Sequence, residues 1–133
     1  MAMRATILVH RIPIDTPVQT SFGVMRDRPS VTLRVEDDDG AVGWGETYGL
    51  VAPKAVAAII DDLLGPYLKT LAPDTPDKAW DALYELQRVR GYWGGYLGDA
   101  LAALDIALWD LHARSGGQSL QAALGQDLSL IHI

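Results

Sequence analysis

Hydrophobic and polar residues alternate with a period of two near the start of the chain. Val31, Leu33 and Val35 alternate with Thr32, Arg34 and Glu36 in "SVTLRVEDDDGAVGWGET", the pattern of a strand with one buried face. Asp38, Asp39 and Gly40 follow, residue types that tolerate the positive φ of a tight hairpin. A partner strand is expected from about Ala41 to Thr47. Upstream, "RATILVHRIPI" is rich in β-branched residues and predicts a strand from about Arg4 to Ile12, ending at Pro13. Three consecutive strands suggest an antiparallel meander.

The period then changes. Val56, Ile59, Ile60, Leu63, Leu64 and Tyr67 fall on one face of a helix, which Pro66 is expected to bend or end. "PDTPDKAW" opens a second helix, with Thr75 as N-cap, Pro76 in the first position and Asp77 near the positive end of the dipole. "GYWGGYLGD" interrupts. A third helix is expected from about Leu97 to Ala113. Leu97, Leu101, Leu104, Leu108 and Leu111 form a stripe with Ala100, Ala103 and Ala107 beside it, small residues that permit close approach of a neighbour. It should end at Gly116 or Gly117, before a short helix capped by Ser119 and closed by Gly125. The fold class implied is α+β: a three-stranded antiparallel meander packed against a helical bundle.

The totals narrow the function classes. The chain has 133 residues, enough for one domain with a real core. Its net charge of -6 argues against a nucleic-acid or anionic-membrane surface. With no cysteine there is no disulfide, thiolate metal site or cysteine nucleophile, which suits a cytoplasmic protein. No apolar run approaches the roughly 20 residues that span a bilayer.

Two motifs are misleading. "VEDDDGAVGWGE" mimics a calcium loop, but Val35 occupies the first ligand position and strands flank it. "GWGETYG" is one residue longer than the dinucleotide fingerprint and lacks a βαβ unit. His10, His112 and His132 suggest no convergent metal or triad site. Asp105 and Asp110 are most simply solvent-facing or helix-pairing groups.

Two connecting segments are candidates for recognition. Asp15–Pro29, "DTPVQTSFGVMRDRP", reads as a long loop holding the chain's one Phe, Phe22, with Ser21, Met25, Arg26 and Arg28. A ring and a guanidinium there suit closing over a small carboxylate; a solvated loop with two surface arginines is the alternative. In Gly45–Pro53, "GETYGLVAP", Tyr48 and Leu50 would line a pocket or seal the core edge. Glu46 would be a ligand, a base, a structural carboxylate at the strand end or a cap near the next helix. Gly43 and Gly45 around Trp44 suggest a bulge or close backbone approach.

"TSFGVMRDRPSVTLRVEDDDGAVGWGET", together with "ALAALDIALWDLHARSGGQSLQAALG", resembles the N-terminal capping domain of the mandelate racemase/muconate lactonizing enzyme group of the enolase superfamily. The resemblance covers about Arg4 to Gly125. One departure is Ala113-Arg114, where many relatives carry Gly-Lys. It implies a cap, residues 1–125, closing the mouth of a (β/α) barrel, with Ser21, Phe22, Met25, Arg26, Tyr48 and Leu50 as substrate contacts. The implied chemistry is proton abstraction next to a carboxylate, with Mg2+ stabilising the enediolate and Lys or His as base. Dehydration of an acid sugar heads the implied reactions, with racemisation or epimerisation and cycloisomerisation beside it. The bases and metal ligands would lie on barrel strands outside this chain, so no catalytic residue or metal ligand is expected within it, and the chain alone should be inactive. Partners would be the barrel, a small carboxylate substrate and further copies in a homo-oligomer. A barrel needs at least about 200 residues, and "LSLIHI" is expected to be either the start of its first strand or translated adapter sequence, at residues 126–133. A free-standing binding module using the same two segments is the alternative from another class.

Overall fold

The computed structural model describes residues 3–70 and 75–125. The tail "LSLIHI", for which a strand or an artefact was expected, lies outside the described residues. Three strands, β1 (Arg4–Thr20), β2 (Gly23–Glu36) and β3 (Val42–Thr47), form one antiparallel sheet in the order β1-β2-β3. This is the expected meander, and with its helices it makes an α+β fold. Val31, Leu33 and Val35 of β2 are fully buried. In β1, Val9, Ile7 and Ala5 stand opposite them, in that order. The turn after β2 is tied by the Asp37 carboxylate, which accepts hydrogen bonds from the backbone of Asp39 (3.0 Å) and Ala41 (2.9 Å).

The sheet corrects one expectation. Asp15–Pro29 is not a loop. β1 runs on to Thr20, and β2 begins at Gly23, so most of the segment is a two-stranded arm. Its register shifts between Pro13 and Val18, and then Val18 faces Met25 and Thr20 faces Gly23. β3 pairs β2 only from Val31 onwards, so the arm projects beyond the three-stranded part. With both faces of the arm largely in solvent, its sequence has no reason to alternate. Pro13 and Pro17 are tolerated because β1 is an edge strand.

The helices are α1 (Pro53–Ile59), α2 (Gly65–Thr70), α3 (Pro76–Arg88), α4 (Tyr96–Ser115) and α5 (Leu120–Ala123). A single π turn, Ile60–Leu64, joins α1 to α2. Pro66 therefore does not end the helix; the widened turn precedes it. The same turn explains a second difference from the expected face. Val56, Ile60, Leu64 and Leu68 are buried, while Leu63 is exposed. Positions four apart drift around an α-helix of 3.6 residues per turn, and the wider turn takes back that drift. Thr75 does sit at the N-cap of α3 with an extended backbone, but its side chain makes no capping hydrogen bond.

In α4 the stripe is as expected. Leu97, Leu101, Leu104, Leu108 and Leu111 are buried together with Ala100, Ala103 and Ala107. Ala103 and Ala107 face β3. A Cβ placed on Gly45 would lie 1.9 Å from the Ala103 carbonyl oxygen, and one on Gly43 would lie 2.1 Å from that of Ala107. Strand and helix meet backbone to backbone, so the two glycines around Trp44 mark close approach, not a bulge. Asp110 adds a polar tie: its Oδ2 accepts hydrogen bonds from the Trp44 backbone N–H (2.8 Å) and from Arg114 Nε (2.8 Å). Ser119 caps α5 by accepting from Ala122 N–H at 3.2 Å.

Candidate functional site

The two segments singled out in the sequence converge in space. Ser21 and Phe22 make the two-residue turn at the tip of the arm, closed by Gly23 at φ +126°. Glycine accepts that backbone without a side-chain penalty. The Thr20 hydroxyl fixes the turn, donating to the Gly23 carbonyl (2.8 Å) and accepting from the Phe22 N–H (3.2 Å). The Phe22 ring is fully exposed, at 100 % of its free surface. β3 delivers the second segment: past Thr47 the chain runs through Tyr48, Leu50 and Val51 to α1. The two segments touch where the Tyr48 hydroxyl donates to Met25 Sδ at 3.4 Å.

Between them lies a groove of about 520 Å³ lined by Thr20, Phe22, Gly23, Val24, Met25, Tyr48, Leu50 and Val51. Four candidate residues, Phe22, Met25, Tyr48 and Leu50, are thus brought together. Ser21 and Arg26 are not among the lining residues. Thr20, Val24 and Val51 were not anticipated; once the arm is known to be a strand, Val24 beside the turn is a natural member. A second hollow of about 550 Å³ adjoins it, sharing Tyr48, Leu50 and Val51 and bounded by Gly95, Tyr96 and Asp99 at the start of α4. Groove, hollow and exposed ring occupy one end of the domain.

Several polar groups outside the groove serve the scaffold. Glu46 accepts a hydrogen bond from the buried Ser30 hydroxyl at 2.7 Å, the strand-end structural carboxylate among the roles considered for it. Asp110 pairs sheet to helix instead of facing solvent alone. A hydrogen bond and the charge of Arg34 hold the Glu36 carboxyl below its ordinary range, whereas burial pushes the Asp105 carboxyl up. Neither group lines the groove. His10 and His112 lie on β1 and α4, and His132 lies outside the described residues. Among the described residues no group of three or more His, Asp or Glu side chains converges as the ligands of a metal ion would. They do not fit a magnesium site. No described helix is long and apolar enough to cross a membrane.

Comparison with known proteins agrees with this architecture. The family model described as "Mandelate racemase / muconate lactonizing enzyme, N-terminal domain" matches residues 2–125. D-galactarolactone cycloisomerase from Agrobacterium fabrum is 37 % identical over 93 % of this chain and 31 % of its own length. D-galactonate dehydratase from Verminephrobacter eiseniae is 34 % identical over 70 % of this chain and 24 % of its own. The crystal structure of a racemase from Streptomyces coelicolor with bound magnesium superposes with a TM-score of 0.75 at 34 % identity, over 84 % of this chain and 32 % of that one. The chain thus spans less than a third of the length of each of these relatives.

Proposed function

The chain belongs to the mandelate racemase/muconate lactonizing enzyme N-terminal domain family of the enolase superfamily, and we propose from this that residues 1–125 act as a substrate-capping and specificity domain. The whole protein would be a cytoplasmic, magnesium-dependent enzyme that removes the proton next to a carboxylate. One observation carries the reading: the arm tip and the β3–α1 segment converge on a single apolar groove at one end of the domain. Phe22, Met25, Tyr48 and Leu50 would close over the substrate from that end. Ser21 and Arg26, at and beside the arm tip, would act at its rim.

The carboxylate and the developing enediolate need cations and a base. The described residues supply no metal cluster, and no charged side chain lines the groove. In this reading the ion and the base fall to a barrel. This chain's part is to hold the far end of the substrate and keep water away from it. Acid sugars are the proposed substrates. The cycloisomerase among the relatives, which matches nearly the whole chain, draws the reaction towards cycloisomerisation. Dehydration, the reaction the family resemblance placed first, is supported by the dehydratase.

The purified chain, given magnesium and a panel of acid sugars and their lactones, should show no turnover. The same chain joined through Gly125 to the barrel of the Agrobacterium fabrum relative should turn over at least one of them. Turnover by the chain alone, or an inactive but folded fusion, would sink the proposal.

A further inference from the structure

Among the described residues, β1 has a partner strand on one side only. Free strand edges are normally guarded by proline, by charge or by a bulge. On the arm, Pro13, Pro17 and the register shift between Pro13 and Val18 serve as guards. The stretch before them, Arg4–Ile12, holds no proline and keeps an unbroken register with β2. Its two arginines are drawn to β2: Arg4 Nη2 lies 3.5 Å from Glu36, and Arg11 Nη1 lies 3.1 Å from Asp27.

A groove runs beside this unguarded stretch. Val31, Leu33 and Val35 of β2 are fully buried, yet Ala5, Val9 and Arg11, on the same face of β1, stay exposed. Two open hollows follow one another there. One, of about 310 Å³, is lined by Ala5, Ile7, Ala57, Ala58 and Asp61. The next, of about 480 Å³, is lined by Val9, Arg11, Val51, Ala52, Pro53 and Lys54. A strand laid along the free edge would drop alternate side chains into them, and the alanines of α1 leave the room.

The charges select which strand fits. Lys54, Ala58 and Asp61 recur at i, i+4 and i+7, the spacing of one helix face, and all three are exposed. Neither Lys54 nor Asp61 has an ion-pair partner among the described residues. Asp61 lies at the Ala5 end of the groove and Lys54 at the Arg11 end. A second β1, laid antiparallel about a two-fold axis at Leu8, sets Ala5 against Arg11 and Ile7 against Val9. The same axis carries Asp61 of each copy towards Lys54 of the other and leaves Ala57 and Ala58 where the two helices come closest. The groove is complementary to its own reverse, as a two-fold interface requires.

We propose that the free edge of β1 is a dimerisation surface for a second copy of this chain. The two β1 strands pair antiparallel over Arg4–Ile12, fuse two three-stranded sheets into one, and place a Lys54–Asp61 ion pair on each side of the axis. The capping role is not needed for this pairing.

The test is sedimentation equilibrium of the full 133-residue chain, from micromolar to near-millimolar concentration, beside amide hydrogen exchange. A monomer–dimer equilibrium is expected, with amides in Arg4–Ile12 gaining protection as the chain is concentrated. Lys54→Glu and Asp61→Lys, each at an exposed position, oppose like charges on both sides of the axis. Each alone should weaken the dimer about tenfold. Mixed in equal amounts, the two variants should associate to within about threefold of the parent chain, since each supplies the charge the other lacks. Added salt should narrow these differences. A monomer throughout the range would overturn the proposal and leave the edge to a strand of another polypeptide. Association that neither variant weakens, or a mixture that recovers nothing, would also overturn it, by placing the contact elsewhere or removing the two-fold.

Discussion

Gly45 and Tyr48 stand close together on one stretch of chain, Gly45 inside β3 and Tyr48 just past its end, yet they belong to opposite kinds of structure. Gly45 lies in a seam where strand and helix backbones touch and no added atom fits. Tyr48 lines a groove whose neighbours include a fully exposed phenylalanine. Close packing makes the seam intolerant of change, while the side chains of the groove stand largely uncovered. On the proposed capping role, stability and recognition are separated within one strand and its exit.

The sharpest way to break this contrast is Gly45→Ala. The new Cβ would meet the Ala103 carbonyl oxygen at 1.9 Å. Backbone cannot rotate away, so a loss of about 3 kcal/mol or more is expected in urea unfolding. An unchanged midpoint would mean that strand and helix are not in contact there. Asp110→Ala tests the polar part of the seam. It leaves the Trp44 N–H without its acceptor and should cost about 1 kcal/mol, since the site is partly open to water.

Asp105→Asn probes α4 away from the glycines. Burial raises the Asp105 carboxyl, so the folded chain keeps this proton to higher pH than the unfolded one. The stabilising proton is lost as pH rises from the ordinary aspartate range through the raised folded value. The substitution should therefore raise the urea midpoint slightly at pH 7 and leave it unchanged at pH 3. A midpoint lowered at pH 7 would show the carboxylate to be well partnered. At the other end of the scale, Phe22→Ser should move stability by less than about 0.5 kcal/mol, measured in the same urea titration. A large loss would place Phe22 in the core and merge the two regions.

The same contrast explains what could be read from sequence. The stripe of α4 was legible because one face is buried along its whole length, and burial forces a period. The Asp38–Gly40 turn was legible from its residue types alone. The arm was not: a two-stranded ribbon wet on both faces obeys no alternation, and Pro13, Pro17 and Pro29 looked like loop residues. Pro29 pairs with Arg11 just before β2 gains β3 as a second neighbour, a position where a missing N–H costs little. The π turn was invisible because it is a response of the backbone to packing around Ile60 and Leu64. For the groove, Phe22, Met25, Tyr48 and Leu50 were found through the family resemblance and the oddity of their segments. Their meeting depends on a register shift near Pro13 that no local pattern announces.

The tie between Trp44 and Asp110 joins residues 66 positions apart. During synthesis at about 5–20 residues per second, β3 leaves the ribosome roughly 3–13 s before its helical partner exists. Throughout that interval β3 lacks the helix that packs against it, and a nascent sheet in that condition is open to pairing with other chains. The order of elements along the gene therefore sets a waiting time, and α4, translated late, is what ends it.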